Sequence, residues 1–227
     1  MPDSRSAILS QIRQSLAAAR LPPAPSVELP SSAVPPPPSE LAEKFAQELR
    51  ALNGAFLSTR QAEAAALVAR LVRERGAGRV LAWGGAHLPV PGLLDALRQA
   101  GVQVDAGEVP PGPDRAQRLA DLETIAVGLT GVDAAVAETG TLVLLAGPGR
   151  PRLAAMSVRA HIAVFTPDQL HATLAAWLHA RPDLADALRA RSAALFVTGP
   201  SRTADIEMTL TVGVHGPGEV IAVLVEP

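Results

Sequence analysis

Ala193-Ala194-Leu195-Phe196-Val197, followed at once by Thr198-Gly199-Pro200-Ser201-Arg202-Thr203-Ala204-Asp205-Ile206-Glu207, sets the reading of the whole chain. The first five residues have the length and apolar composition of a buried strand. Gly199-Pro200 is a turn. Ile206 and Leu210 stand four apart before Gly213, which predicts a short helix opening near Ser201. Strand, turn and helix start in this order suit an α/β sheet whose carboxyl edge presents free backbone N–H groups. Ser201, Arg202 and Thr203 add two hydroxyls and a guanidinium there. The combination fits a small carboxylate or phosphate ligand, or a pyrophosphate arm. A plain helix cap that contains Arg202 is the competing reading.

The same alternation extends back along the chain. Leu41, Phe45, Leu49 and Leu52 keep helical spacing from Ser39 until Gly54. Ala55 to Leu57 reads as a short strand. Ser58 and Gln61 read as a capping box for a helix over 59–75. Arg79 to Trp83 is a strand ending in Gly84-Gly85. A helix over 91–100, a strand over 102–104 and a helix over 114–124 follow. His161 to Phe165 is a strand, and Thr166-Pro167-Asp168-Gln169 a helix start with proline at the first turn. The helix it opens carries Leu170, Leu174, Trp177 and Leu178 inward, with His171 and His179 on its solvated side. Residues 182–191 form another helix, and Val220 to Val225 a last strand at a sheet edge. This predicts an α/β domain over 39–227: three layers, with a mostly parallel sheet in which 79–83, 161–165 and 193–197 are neighbours or near-neighbours.

Ahead of that domain, residues 1–20 read as an amphipathic helix with Ile8, Ile12 and Leu16 on one stripe. Residues 21–38 are proline-rich, end in Pro35-Pro36-Pro37-Pro38, and read as an extended linker. The apolar stripe needs a surface: its own domain, a neighbouring copy in a homo-oligomer, or a partner chain.

Two further stretches concentrate polar groups at turns. Between apolar runs of strand character lies Glu138-Thr139-Gly140-Thr141. A carboxylate there is expected to be partly buried, either acting on a ligand or accepting from its own turn. Val212 to Gly218 crowds glycine around His215-Gly216. Gly84 and Gly85 stand at a strand's carboxyl end, where open α/β sheets bind ligands. Glu138, Thr139, Gly140, Thr141, Gly199, Pro200, Ser201, Arg202, Thr203, Asp205, Glu207, His215, Gly216, Gly84 and Gly85 are therefore expected to meet on one rim. Asp205, Glu207 and His215 make a poor metal set, because residues two apart on a helix face different ways.

Composition removes several classes. The chain of 227 residues has no cysteine, which excludes disulfides, thiolate nucleophiles and cysteine-ligated clusters or zinc in this chain. No cofactor motif is evident. No run approaches the ~20 apolar residues of a membrane span, and the absence of an apolar leader makes the cytoplasm the expected location. A net charge of −2 and 3% aromatic residues argue against nucleic acid as a partner.

Ala137-Glu138-Thr139-Gly140-Thr141, Gly199-Pro200-Ser201-Arg202-Thr203-Ala204-Asp205-Ile206-Glu207 and Gly213-Val214-His215-Gly216-Pro217 occur in the order and spacing of the LUD-domain, or lactate-utilisation, family. The chain resembles its protein C branch, and the likeness reaches Ala7-Ile8-Leu9 and Ile12-Arg13. It departs where Arg159-Ala160 precede His161, since members commonly carry proline before that histidine. The resemblance implies a fold like the ribose-phosphate isomerase and CoA-transferase class. It also implies a place in a three-protein system that oxidises L-lactate to pyruvate, with iron–sulfur oxidoreductases as partners. Two roles stay open: an accessory or regulatory subunit that binds a small anion, or an enzyme with Glu138 as nucleophile or base, as in related CoA-transferases. An assembly module with purely structural turns is a third.

Overall fold

The computed structural model describes residues 3–19, 36–204 and 210–227. The chain divides into two units, Met1–Pro30 and Ser31–Pro227. The first contains α1 (Ser4–Ala18), capped by the Asp3 side chain, with Ile8, Ile12 and Leu16 exposed. Of the expected linker, 21–38, residues 21–35 lie outside the described residues, and Pro38 already belongs to the next helix.

In the second unit, α2 (Pro38–Ala51) begins one residue before the expected boundary, with proline at its first position, where no N–H is needed. There follow β1 (Ala55–Arg60), α3 (Gln61–Glu74), β2 (Arg79–Ala82), α4 (Leu93–Gln99), β3 (Gln103–Asp105), α5 (Arg115–Glu123), β4 (Val127–Thr130), β5 (Ala134–Val136), β6 (Thr141–Ala146), α6 (Leu153–Met156), β7 (Ala160–Phe165), β8 (Leu170–His171), α7 (Leu174–Ala180), α8 (Leu184–Arg189), β9 (Ala193–Val197), β10 (Arg202–Ala204), β11 (Leu210–Val212) and β12 (Glu219–Glu226). The main sheet has the order β1-β12-β7-β4-β2-β3, and every pairing in it is parallel. Helices pack on both faces. The central strands β4, β7 and β12 are apolar runs buried on both sides, as parallel strands between helix layers must be.

Five expectations are corrected here. The last strand is not an edge: β12 lies between β1 and β7. Its run Val220-Ile221-Ala222-Val223-Leu224-Val225 needs cover on both faces, whereas β1, with Ser58 and Arg60, tolerates the edge. Ser58 remains in β1 and donates to Glu226 rather than capping α3. Residues 193–197 do not join the parallel sheet. β9 pairs antiparallel with β6 in a second sheet of order β8-β5-β6-β9. Its residues alternate in exposure, the habit of a half-covered strand, which five consecutive apolar letters do not reveal. The Thr166–Gln169 capping box does form, but only a single 3-10 turn follows it. Leu170 and His171 then pair with β5, so His171 is half-buried in a strand. The helix restarts behind Thr173, whose hydroxyl caps Ala176.

β5 and β8 continue from the carboxyl ends of β4 and β7, so the second sheet rises from that edge of the main one. Between β4 and β12, His161 on β7 is fully buried, with Nε2 2.8 Å from the Thr130 hydroxyl and Nδ1 without a partner among the described residues. Burial pushes its pKa down to about 4. Folded His161 therefore stays neutral while the unfolded chain takes up a proton below about 6.5. Stability is full above that pH and falls as pH drops towards 4, by roughly 3 kcal/mol in all. Urea titrations between pH 7 and 4.5 should show this loss. His161→Gln should remove about one proton from the dependence, whereas an unchanged slope would contradict the assignment.

Candidate functional site

The signature turns gather at the amino edge of the main sheet, not at its carboxyl rim. No helix opens at Ser201: Arg202–Ala204 form β10, which pairs antiparallel with β11. Asp205 and Glu207 lie outside the described residues. Ser201 N–H donates to the Pro217 carbonyl at 2.8 Å, and its carbonyl accepts from Gly213 N–H at 2.9 Å. Both bonds sit just ahead of β12. The Arg202 guanidinium donates to the Leu52 carbonyl at the end of α2, just ahead of β1. A helix end offers unpaired carbonyls to such a cation. The group expected to hold an anion is thus employed as a cap.

Gly140 and Gly199 explain why these turns meet there. Both have positive φ, 63° and 93°, and both face α2. A Cβ on Gly140 would stand 2.5 Å from the backbone nitrogen of Leu49, and one on Gly199 3.0 Å from Leu52 Cβ. A hydroxyl chain ties the turns together: Thr139 to Thr141 at 2.7 Å and Thr141 to Thr198 at 2.8 Å. Pro200 is buried behind them.

Glu138 is exposed rather than partly buried. Its turn projects from the β5–β6 hairpin, and its N–H donates to Ala172 O. With Thr139, Thr141 and Thr198 it borders a cleft of about 230 Å³ walled by Val136, Leu174 and Phe196. His215 and Gly216 line a different cleft of about 350 Å³, with Ser157 and Arg159. A larger depression of about 510 Å³ between β1 and α3 contains none of these residues. The single rim expected from the sequence is therefore divided, and Gly84-Gly85 lies at the opposite end of the sheet from His215-Gly216.

At that opposite end a basic cluster is built. Gly84 N–H donates to Gly149 O at 2.8 Å, which places the Gly147–Arg150 turn beside the end of β2. Arg150 donates to Asp133 at 2.9 Å, and its guanidinium lies 5.2 Å from the centre of the Trp83 ring. The second Asp133 oxygen accepts from Leu145 N–H at 2.7 Å. Arg191 lies against Gly147, and His87 against Gly149. Burial first, then the charges of Arg150 and Arg191, push the His87 pKa below its ordinary value. Among the described residues, Nε of Arg150, Nε of Arg191 and Nε1 of Trp83 are buried without an acceptor. Two guanidiniums and an imidazole against one carboxylate leave this corner positive. The cluster of Arg79, Arg118, Asp105 and Asp121 is by contrast internally paired. Among the described residues no group of three or more His, Asp or Glu has the arrangement of a metal site.

Gly84-Gly85, expected at a strand's carboxyl end, lies beside this corner. Trp83, His87, Asp133, Arg150 and Arg191 went unmarked because they come from four separate segments that share no motif. Position at a strand's carboxyl end was the available signal.

The molecule is an open α/β protein with a parallel main sheet and a smaller mixed sheet beside it. It belongs to the LUD domain family, whose model matches residues 42–225. Among its relatives is the lactate utilization protein C of Geobacillus sp. (strain WCH70), 29% identical over 78% of this chain and 75% of that one. Another is the lactate utilization protein C of Halalkalibacterium halodurans, 33% identical over 69% of this chain and 66% of that one. The crystal structure of a DUF162 family protein from Deinococcus radiodurans has the same fold. Its TM-score is 0.59 at 22% identity, over 84% of this chain and 99% of that one.

If Gly140 is held by its contact with α2, Gly140→Ala should destabilise the domain by roughly 2–4 kcal/mol, combining left-handed strain with the clash on Leu49. Gly92 has a φ of 74° with nothing within 4 Å of a Cβ. Gly92→Ala should therefore cost only about 1 kcal/mol. Equal losses in urea denaturation would show that the contact with α2 is unimportant.

Proposed function

We propose that this chain is a component of an L-lactate utilisation system and serves there as an accessory subunit that binds a small carboxylate or phosphate. The lactate role is supported by the shared name of relatives that match most of the chain. The observation that carries the anion reading is the positive corner of Arg150, Arg191 and His87 at the carboxyl edge of the parallel sheet. Without a cysteine the chain offers no thiolate to an iron–sulfur cluster, so electron transfer falls to partner oxidoreductases. An anion between the guanidiniums gains charge-assisted hydrogen bonds, each worth about 1.5–3 kcal/mol. Trp83 and Asp133 fix Arg150 in place, so little side-chain freedom is lost on binding.

The enzyme reading, with Glu138 as nucleophile, draws on the cleft beside that residue. Against it, Glu138 is exposed, and no described basic side chain hydrogen-bonds to it. Deleting the gene should impair growth on L-lactate, and complementation with Glu138→Gln should restore it. Failure of that variant, expressed at normal level and still assembling with its partners, would favour the enzyme.

Anion binding should also take up a proton. In the free protein burial and the charges of Arg150 and Arg191 disfavour protonation of His87, and a bound carboxylate offsets the guanidinium charges and favours it again. Affinity for pyruvate, measured by calorimetry, should therefore rise as pH falls from 7.5 to 5.5. Arg191→Ala should weaken it at least about tenfold. Flat pH dependence together with unchanged affinity in Arg191→Ala would remove this corner as the site.

A further inference from the structure

The second sheet ends in β9. In the order β8-β5-β6-β9, the edge strand β9 is bonded to β6 alone, and among the described residues no strand lies along its far edge. On the face of this sheet away from the main core, Trp177 of α7 packs on Ala134, Val136 and Val143. The cover stops there. Ala194, Phe196 and Thr198 of the β9 segment point outward on the same face, and Phe196 is 53% exposed. Leu174, at the start of α7, is 38% exposed on the other side of the gap. Between them lies the cleft of about 230 Å³.

The lining is unusual in its charge. Its walls are Val136, Leu174 and Phe196, and its floor is a row of threonine hydroxyls. Among the described residues, Glu138 at its mouth is the single ionisable member of the lining. Such a cleft repels an anion. It complements a long cationic side chain whose methylene stem lies on apolar walls and an aromatic ring while its head meets a carboxylate. The unpaired N–H and C=O groups of β9 run alongside, ready for an added strand.

We propose that β9 and this cleft together receive an extended segment of a partner protein. Its main chain pairs with β9, and one of its lysine or arginine side chains enters the cleft to meet Glu138. The proposal stands on the free edge and the lone carboxylate, and is independent of the anion site at the opposite corner.

The test uses the full-length chain and three six-residue peptides of alternating valine and threonine. They carry lysine, norleucine or glutamate at one central position. Binding is followed by amide chemical shifts. The lysine peptide should bind, perturbing Glu138, Leu174 and residues 193–198. The norleucine peptide should bind at least about tenfold more weakly, and the glutamate peptide not detectably. Glu138→Gln should abolish the preference for lysine over norleucine, and Phe196→Ser should weaken both. Equal binding of lysine and glutamate peptides, an unchanged preference in Glu138→Gln, or no binding of any peptide at millimolar concentration would overturn the proposal. So would sedimentation showing a dimer that Phe196→Ser dissociates, because the edge would then belong to a second copy of this chain.

Discussion

The buried pair of Asp133 and Arg150 joins the two sheets and shapes the positive corner at once. Asp133 stands where β4 passes into β5, with its side chain 9% exposed. One carboxylate oxygen takes the Arg150 guanidinium and the other the N–H of Leu145 in β6. Arg150 in turn lies on Trp83 at the end of β2. One ion pair thus connects a main-sheet strand, both strands of the second hairpin and the turn that follows it. Burying such a pair adds little net stability, but removing one partner strands a charge and costs several kcal/mol. The contribution of Asp133 is positional. It holds one guanidinium rigid next to Arg191 and His87, in a corner whose net charge remains positive.

The two ends of the main sheet consequently do different work. At the amino edge, Gly140 and Gly199 allow two turns to close against the end of α2, and Arg202 caps that helix. The signature residues there are largely consumed in packing. At the carboxyl edge the strands end in short turns that leave basic side chains with donors to spare.

Much of the fold was legible because its central strands are mostly apolar runs alternating with helices, the pattern of a doubly covered parallel sheet. What misled was local. Ala193–Val197 and Val220–Val225 look alike as letters, yet one is a half-exposed antiparallel edge and the other a fully buried interior strand. Ile206 and Leu210 have helical spacing, but Arg202–Ala204 are extended because they pair with 210–212 and close over Pro217. Thr166–Gln169 is a sound helix start overruled by the pairing of Leu170 with Ala135. Of the candidate site, Gly84-Gly85 and Glu138 were placed correctly at turns beside strands. That His215 faces the other end of the sheet follows from crossovers that no local pattern encodes.

The central claim is that an anion seats at the carboxyl edge among Trp83, Arg150 and Arg191. The chain has two tryptophans, Trp83 and Trp177, and both indole N–H groups are buried without an acceptor among the described residues. They provide a site probe and an internal control in one spectrum. In a nitrogen–proton correlation experiment, pyruvate should shift the Trp83 indole signal together with the Nε–H signals of Arg150 and Arg191, while Trp177 stays still. Movement of the Ser201–Thr203 amides with Trp83 and both arginines unchanged would place the anion at the opposite edge and contradict the account.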